Sequence, residues 1–276
     1  MTQTQTQKEY WSGKVGGEWA AHADRIDRML APMTEAALAR AAIQPGERVL
    51  DIGCGAGATS FAIARGGARV TGVDLSPPLL AVARARAQEG GHDVAFVEDD
   101  AGAAQFPERF DAAFSRFGIM FFEQPAAALA HLRTLLRADG RFVFICWRRL
   151  PENEWATAPI EAVRLMLTAP LAAPDPNAPG PFAFAEADKV RRLLGEAGWR
   201  DVALTRWDGD ILVGGGGSLE ESAEFLLRIG PCARAIADQG LDAEEARRRV
   251  MEHLAPRASA QGVALAAACW VVEARA

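Results

Sequence analysis

RVLDIGCGAGATSFAIARGGARVTGVD, residues 48–74, is the stretch from which the fold of this chain is read. Arg48–Ile52 is a short, β-branched run with Asp51 near its end, and Gly53, Gly55 and Gly57 follow at every second position. Ala58–Arg65 has the Ala/Phe/Ile periodicity of a helix packed on a sheet. Arg69–Val73 is a second apolar strand, and Asp74 stands at its end. A strand–loop–helix–strand unit of this length crosses over right-handed and brings both strand ends to one edge of a parallel sheet. The glycine loop and Asp74 therefore face one crevice, at the edge where such sheets take nucleotides.

The same alternation continues on the C-terminal side. Ser76 is placed to cap a helix, with Pro77 in its first turn, Leu79–Gln88 as its body and Gly90-Gly91 as its stop. Val94–Val97 reads as a third strand followed by Glu98-Asp99-Asp100-Ala101, and Phe110–Phe114 as a fourth ending in Ser115-Arg116-Phe117. A helix over Gln124–Arg137, closed by Asp139-Gly140, leads to a fifth strand at Arg141–Trp147. Strand and helix thus alternate from residue 48 to 147, which defines an α/β protein with a doubly wound sheet.

The flanks are less regular. Residues 1–7 are a polar Thr/Gln tail expected to lack order. Glu18–Ala42 reads as helix broken near Pro32, with an apolar stripe of Ile26, Met29, Leu30, Met33 and Ala37. Beyond residue 147, helices are expected over Glu154–Leu167, Glu186–Ala197, Ser218–Ile229 and Asp242–Leu254. Thr168–Pro181 is proline-rich and irregular, and strands are expected at Asp201–Trp207, ended by a turn at Asp208-Gly209, and at Val263–Glu273. Gly16-Gly17 and Gly214–Gly217 read as hinges for a lid. The organisation expected is an N-terminal helical cap over residues 1–45 and a main domain over 46–276, with substrate-cap insertions at 148–185 and 214–260.

Composition narrows the function. The chain has 276 residues, 50% of them hydrophobic, and a net charge of −6. An acidic chain with no basic groove is a poor partner for nucleic acid. Cys54, Cys146, Cys232 and Cys269 form no CxxC pair and read as reduced thiols of a cytoplasmic protein. No apolar run approaches the ~20 residues that span a bilayer, and the N-terminus lacks a signal-peptide pattern. No metal-ligand spacing is present.

A glycine turn makes room for a ligand, and Asp74 lies where a ribose would be held. Two cofactor classes fit those facts, because Gly53-x-Gly55-x-x-Ala58 also matches the dinucleotide fingerprint. The acids separate them. Asp51, placed at the mouth of the site, would repel a pyrophosphate and suit a sulfonium. An acid at Asp99-Asp100 suits an adenine amino group. Asp51, Asp74 and Asp100 at three successive strand ends make a site for a cationic adenosyl compound.

VLDIGCGAG resembles the first motif of the class I S-adenosylmethionine-dependent methyltransferases, and Asp74-Leu75-Ser76 and Asp100-Ala101 are similar to that family's later motifs. FDAAFSRFGIMFFEQP and LLRADGRFVFICW resemble the fourth and fifth strands of its bacterial small-molecule members related to quinone biosynthesis. Gly102-Ala103-Ala104-Gln105 departs from the acid and leucine that often follow the third motif. The resemblance implies a Rossmann-like sheet of seven strands whose last strand is antiparallel. It implies S-adenosylmethionine as cofactor and S-adenosylhomocysteine as product. Asp51, Gly53, Cys54, Gly55 and Gly57 would lie by the methionine end, Asp74 would hold the ribose, and Leu75, Asp100 and Ala101 would frame the adenine. Arg116 would touch the cofactor beside its methyl group, and Phe117 would face the acceptor.

The remaining aromatic residues Tyr10, Trp11, Trp19, Trp155 and Phe182 would wall an acceptor pocket. His22, close to the aromatic N-terminal segment, is the candidate base. The expected function is methyl transfer to O, N or C of a small aromatic or cyclic metabolite by a monomer or homodimer. The alternatives are an NAD-dependent oxidoreductase and a non-catalytic adenosyl-binding regulatory module.

Overall fold

The opening stretch folds as its pattern dictates: β1 Arg48–Ile52, α4 Ala58–Arg65 and β2 Arg69–Asp74, with Val49 beside Val70 and Ile52 beside Val73 in parallel register. The computed structural model describes residues 6–171, 175 and 177–276. The main sheet has the order β3-β2-β1-β4-β5-β8-β6. Its other strands are β3 Val94–Glu98, β4 Phe110–Arg116, β5 Leu136–Trp147, β6 Arg200–Leu212 and β8 Gly262–Arg275. Strands β1 to β5 are parallel, and β8 runs antiparallel to both β5 and β6. A two-residue β7, Ala258–Ser259, folds back on β8. From β1 the chain first builds outward to β2 and β3, then returns to place β4 on the other side. This reversal opens a crevice at the strand ends between β1 and β4.

Side-chain alternation along β5 and β8 assigns the layers. Phe142 and Phe144 contact each other, and Phe142 also packs on Trp199. Trp199 follows α8 Ala187–Glu196 directly, so the even-numbered residues of β5 face that side. Cys269, paired with Trp147 across the ladder, meets Met33 of α3 on the opposite face. Helix α3, Ala23–Ala41, buries Ile26, Met29, Leu30, Met33 and Ala37 in the main core. Four helices, α7 Glu154–Val163, α9 Leu219–Arg228, α10 Pro231–Gln239 and α11 Ala243–Leu254, pack on one another beside the cleft. Among the described residues no helix is long and apolar enough to cross a membrane.

Several local expectations are corrected. The helical break near the N-terminus falls at His22, between α2 Lys14–Ala21 and α3, and α3 runs unbroken through Pro32, which lies on its exposed face. Thr6 caps α1, Gln7–Ser12, in a capping box with Glu9, so the polar tail acquires structure by residue 6; residues 1–5 of that tail lie outside the described residues. Helix α6 stops at Leu135, and β5 begins at Leu136, which pairs with Phe110. The turn expected at Asp208-Gly209 is absent, because the long ladder with β8 pairs Asp208 with Ala268 and Gly209 with Ala267 and carries β6 on to Leu212. Helix α10, led by Pro231, went unread. Part of the proline-rich loop, residues 172–174 and 176, lies outside the described residues.

Neither glycine pair is a free hinge. Gly16 sits inside α2, where a Cβ would lie 1.8 Å from the Trp11 carbonyl oxygen. Gly214–Gly217 all have positive φ and form a tight turn, with Gly215 so close to α3 that a Cβ would lie 2.5 Å from Arg28 Cβ.

Candidate functional site

A cleft opens where the strand order reverses. Its floor is the glycine loop. Gly53, Gly55 and Gly57 have φ of 65°, 53° and 85°. Gly53 also lies against Gly118 at the end of β4, where a Cβ would come within 2.8 Å of the Gly118 Cα. Glycine is therefore required on both sides of the switch point. Three of the loop amides are already engaged. Gly53 and Cys54 N–H donate to the Val73 carbonyl at 2.9 and 3.2 Å, and Gly55 N–H donates to Asp74 Oδ2 at 2.8 Å.

The carboxylates divide into two kinds. Asp74 lies on the cleft wall, and its second oxygen accepts the Ser76 N–H at 2.8 Å. Burial pushes its carboxyl above the usual range, while the Gly55 and Ser76 amides oppose that shift. Each carboxylate oxygen has more than one lone pair, so Asp74 can hold the loop and still accept from a ligand hydroxyl. Asp99 and Asp100, after β3, also line the cleft and are exposed; the Gly102 N–H donates to Asp100 Oδ1 at 2.8 Å. Asp51 belongs to the second kind. It does not stand at the mouth of the site but is fully buried behind the loop, where Thr59 and Ser60 each donate a hydroxyl to its Oδ2 at 2.6 Å. Desolvation pushes its pKa up to about 6 against those hydroxyls, and its Oδ1 has no partner.

The far side of the cleft is aromatic. Phe117 holds φ of 60°, a conformation unusual for a bulky residue, and its ring stacks on Trp147 at 4.2 Å. Trp147 meets Trp155 at 4.7 Å, and Trp155 stacks on Phe182 at 6.3 Å. Arg116 is the one cation on the described cleft wall. It donates to Asp27 Oδ1 at 2.7 Å, while Arg86 donates to Asp27 Oδ2 at 2.9 Å and to the Ala56 carbonyl in the glycine loop, also at 2.9 Å. Trp11 roofs the cleft, edge-on to Trp19 and Phe121, and its carbonyl accepts the Ser76 hydroxyl at 2.8 Å.

Of the residues singled out in the sequence, Gly53, Cys54, Gly55, Asp74, Leu75, Asp100, Ala101, Arg116, Phe117, Trp11, Trp19 and Trp155 meet on this wall. The others do not. Gly57 turns the loop beneath Phe61 and Phe96. Tyr10 lies edge-on to Trp11, off the described wall, and burial pushes its phenol up. Phe182 backs Trp155. His22 lies off the wall, its Nδ1 2.8 Å from the Glu18 carbonyl and its ring edge-on to Phe225, so it is not placed to act as a base there. The sequence reading missed Asp27, Met29 and Leu30 of α3, because their helix reads as a core stripe. It also missed Trp147, which looks like an ordinary end to an apolar strand.

A crevice at a parallel-sheet switch point, in a sheet whose last strand is antiparallel, is the architecture of a Rossmann-like methyltransferase. Residues 49–140 match the methyltransferase domain family. An uncharacterized protein of Mycobacterium bovis is 34% identical over 143 residues, which are 51% of this chain and 50% of that protein. The ubiquinone biosynthesis O-methyltransferase of Aeromonas salmonicida is 40% identical over 102 residues, 36% of this chain and 42% of that one. The chain spans about half the length of the curated relatives it matches. Magnesium protoporphyrin IX methyltransferase from Synechocystis, solved with bound S-adenosylhomocysteine, superposes with a TM-score of 0.56 at 15% identity over 98% of both chains, a likeness of fold. Residues 49–140 are thus similar to a methyltransferase domain, and the fold is that of the Rossmann-like methyltransferases.

Proposed function

We propose that the protein transfers a methyl group from S-adenosylmethionine to a small, ring-bearing acceptor. The observation that carries this reading is the division of one cleft into two chemically distinct halves. The β1–β3 half has a glycine floor and Asp74, Asp99 and Asp100. The β4–β5 half has Phe117, Trp147 and Trp155. The first half suits adenosine. Asp74 is placed for the ribose, Leu75 and Ala101 for the adenine faces and the Asp99-Asp100 pair for the amino group, while the open space over Gly55 suits the amino-acid tail. A nicotinamide dinucleotide fits poorly, because its diphosphate would lie among Asp74, Asp99 and Asp100 in a half of the described wall that carries no cation.

When bound, the cofactor supplies a methyl group on a sulfonium, a good leaving group. The protein's work is then alignment and the exclusion of water. Trp11 and Trp19 close the cleft from above, and α3 contributes Ile26, Met29 and Leu30 to a dry wall. Phe117 and Trp155 present flat faces to a flat acceptor. Four free, buried cysteines suit a reducing compartment such as the cytoplasm. Leu165 and Leu171 are the exposed large hydrophobic residues among those described, which suits a monomer.

The test is incubation with methyl-labelled S-adenosylmethionine and a panel of phenols, aryl thiols, aryl amines and aryl carboxylates. Label transferred to one ring class, with stoichiometric S-adenosylhomocysteine, supports the reading. Tight cofactor binding with no transfer across the panel, together with a stable complex with another protein, would favour a regulatory adenosyl-binding module instead.

A further inference from the structure

The acceptor half of the cleft offers one charged donor, and the carboxylate beside it, Asp27, is already ion-paired. Arg116 ends β4, and its side chain is only 12% exposed. Its Nη2 is tied to Asp27, its Nη1 lies 3.4 Å from Thr34 Oγ1, and the guanidinium has five N–H groups in all. Among the described residues that line the cleft there is no His, Lys, Tyr, Glu, Ser or Thr. The titratable groups facing Arg116 and the aromatic wall can be taken one at a time. Asp27, on α3, has one oxygen bonded to Arg116 and the other to Arg86, and a proton placed on it would weaken both charge-assisted bonds. Asp51 is sensitive to the Arg116 charge but lies buried behind the loop, bonded to Thr59 and Ser60. The Cys54 thiol is pushed far up by burial and stays neutral. Asp74 ends β2, two strands from β4, and Asp99 and Asp100 follow β3, three strands away. At ~4.8 Å per strand, the strands that carry them lie ~10 and ~14 Å from β4. These carboxylates belong to the adenosine half.

A neutral phenol or thiol bound on this wall would have no unpaired group nearby to take its proton. An acceptor that arrives already ionised needs none. Its anionic atom gains the methyl, the sulfur loses it together with the positive charge, and two opposite charges become two neutral products with no proton moved. Arg116 is also better suited to an acceptor anion than to the cofactor, because a guanidinium next to a sulfonium is a like-charge contact. Its fork-shaped donor set matches carboxylate and phenolate oxygens.

We propose that the acceptor is a flat, ring-bearing anion, a phenolate, aryl thiolate or aryl carboxylate, whose charged atom is oriented by Arg116 while its ring lies on Phe117 and Trp155. This rests on the methyl-transfer reading and moves Arg116 from the cofactor set to the acceptor set.

The test is calorimetry of the full chain saturated with S-adenosylhomocysteine, titrated at pH 7.5 with 2-naphthoate and with its neutral isostere 2-naphthamide. Naphthoate should bind at least 10-fold more tightly than the amide. Arg116→Gln should abolish that preference, and Arg116→Lys, which keeps the charge and loses the fork, should retain part of it. Equal affinity of the two probes for the wild-type protein overturns the proposal without recourse to a variant. So does a failure of naphthoate to saturate at millimolar concentration, or a preference that survives in Arg116→Gln. Failure of S-adenosylhomocysteine itself to bind is read in the first titration and counts against the methyl-transfer reading instead.

Discussion

Asp51→Asn should make the protein's stability less dependent on pH, in a direction set by burial. The carboxyl is fully buried, and its pKa rises from 3.8 to about 6 despite two hydroxyl donors. A group whose folded pKa is raised binds more protons in the folded state, so its favourable contribution is complete below pH 3.8 and is lost as pH rises through 6. A separation of about 2.2 units at 1.36 kcal/mol per unit is a loss of about 3 kcal/mol, of which about 2 kcal/mol falls between pH 4.5 and pH 8. Asparagine stays neutral throughout. Its oxygen can accept from Thr59 and Ser60, and its amide falls where Asp51 Oδ1 now has no partner, at a cost of ~1–3 kcal/mol that does not change with pH. Urea denaturation of both proteins at pH 4.5 and pH 8 separates the two effects. The stability of Asp51→Asn minus that of wild type should increase by about 2 kcal/mol from the lower pH to the higher. Parallel behaviour within ~0.5 kcal/mol would refute the account of Asp51 as a desolvated acid.

Gly53→Ala forces a Cβ to within 2.8 Å of the Gly118 Cα at φ of 65°; two such penalties should cost ~2 kcal/mol or more in a denaturation experiment. All four cysteines are buried, and burial pushes the thiols of each of them up. Iodoacetamide at pH 8 should therefore leave the native protein unlabelled and label all four only in denaturant. Trp11→Ala removes the edge-on contacts with Trp19 and Phe121 that hold the roof down, and should raise the dissociation rate of S-adenosylhomocysteine several-fold in stopped-flow fluorescence, with thermal stability little changed.

The sheet was legible because each of its central strands is announced by local chemistry. Val49–Ile52 runs into Gly53, Val70–Val73 runs into Asp74, and Ser76 is the N-cap its spacing predicts. The cofactor half of the cleft was legible for the same reason, since Gly53, Gly55 and Asp74 lie in one short βαβ unit. What failed was set by long-range packing. Asp208-Gly209 has the composition of a turn but is held flat by fourteen residues of β8. Pro32 is tolerated because it points to solvent. Asp51 looks like a site residue in sequence, yet strand alternation turns its side chain under the loop toward α4. The case for a positively charged ligand therefore rests less on that acid than the sequence alone implies, and more on Asp74, Asp99 and Asp100. The acceptor half drew on α3, β4, β5 and α7, elements far apart in sequence, so Asp27 and Trp147 carried no local signal.

The central claim is that the cleft between β1 and β4 holds an adenosyl ligand through Asp74. Titration calorimetry of S-adenosylhomocysteine and of NADH into wild type and Asp74→Ala tests it most directly. The account predicts saturable binding of S-adenosylhomocysteine, weakened ~10-fold or more by the loss of a charge-assisted hydrogen bond, and no binding of NADH. Saturable binding of NADH in place of the adenosyl compound, or an affinity for S-adenosylhomocysteine that Asp74→Ala leaves unchanged, would contradict it.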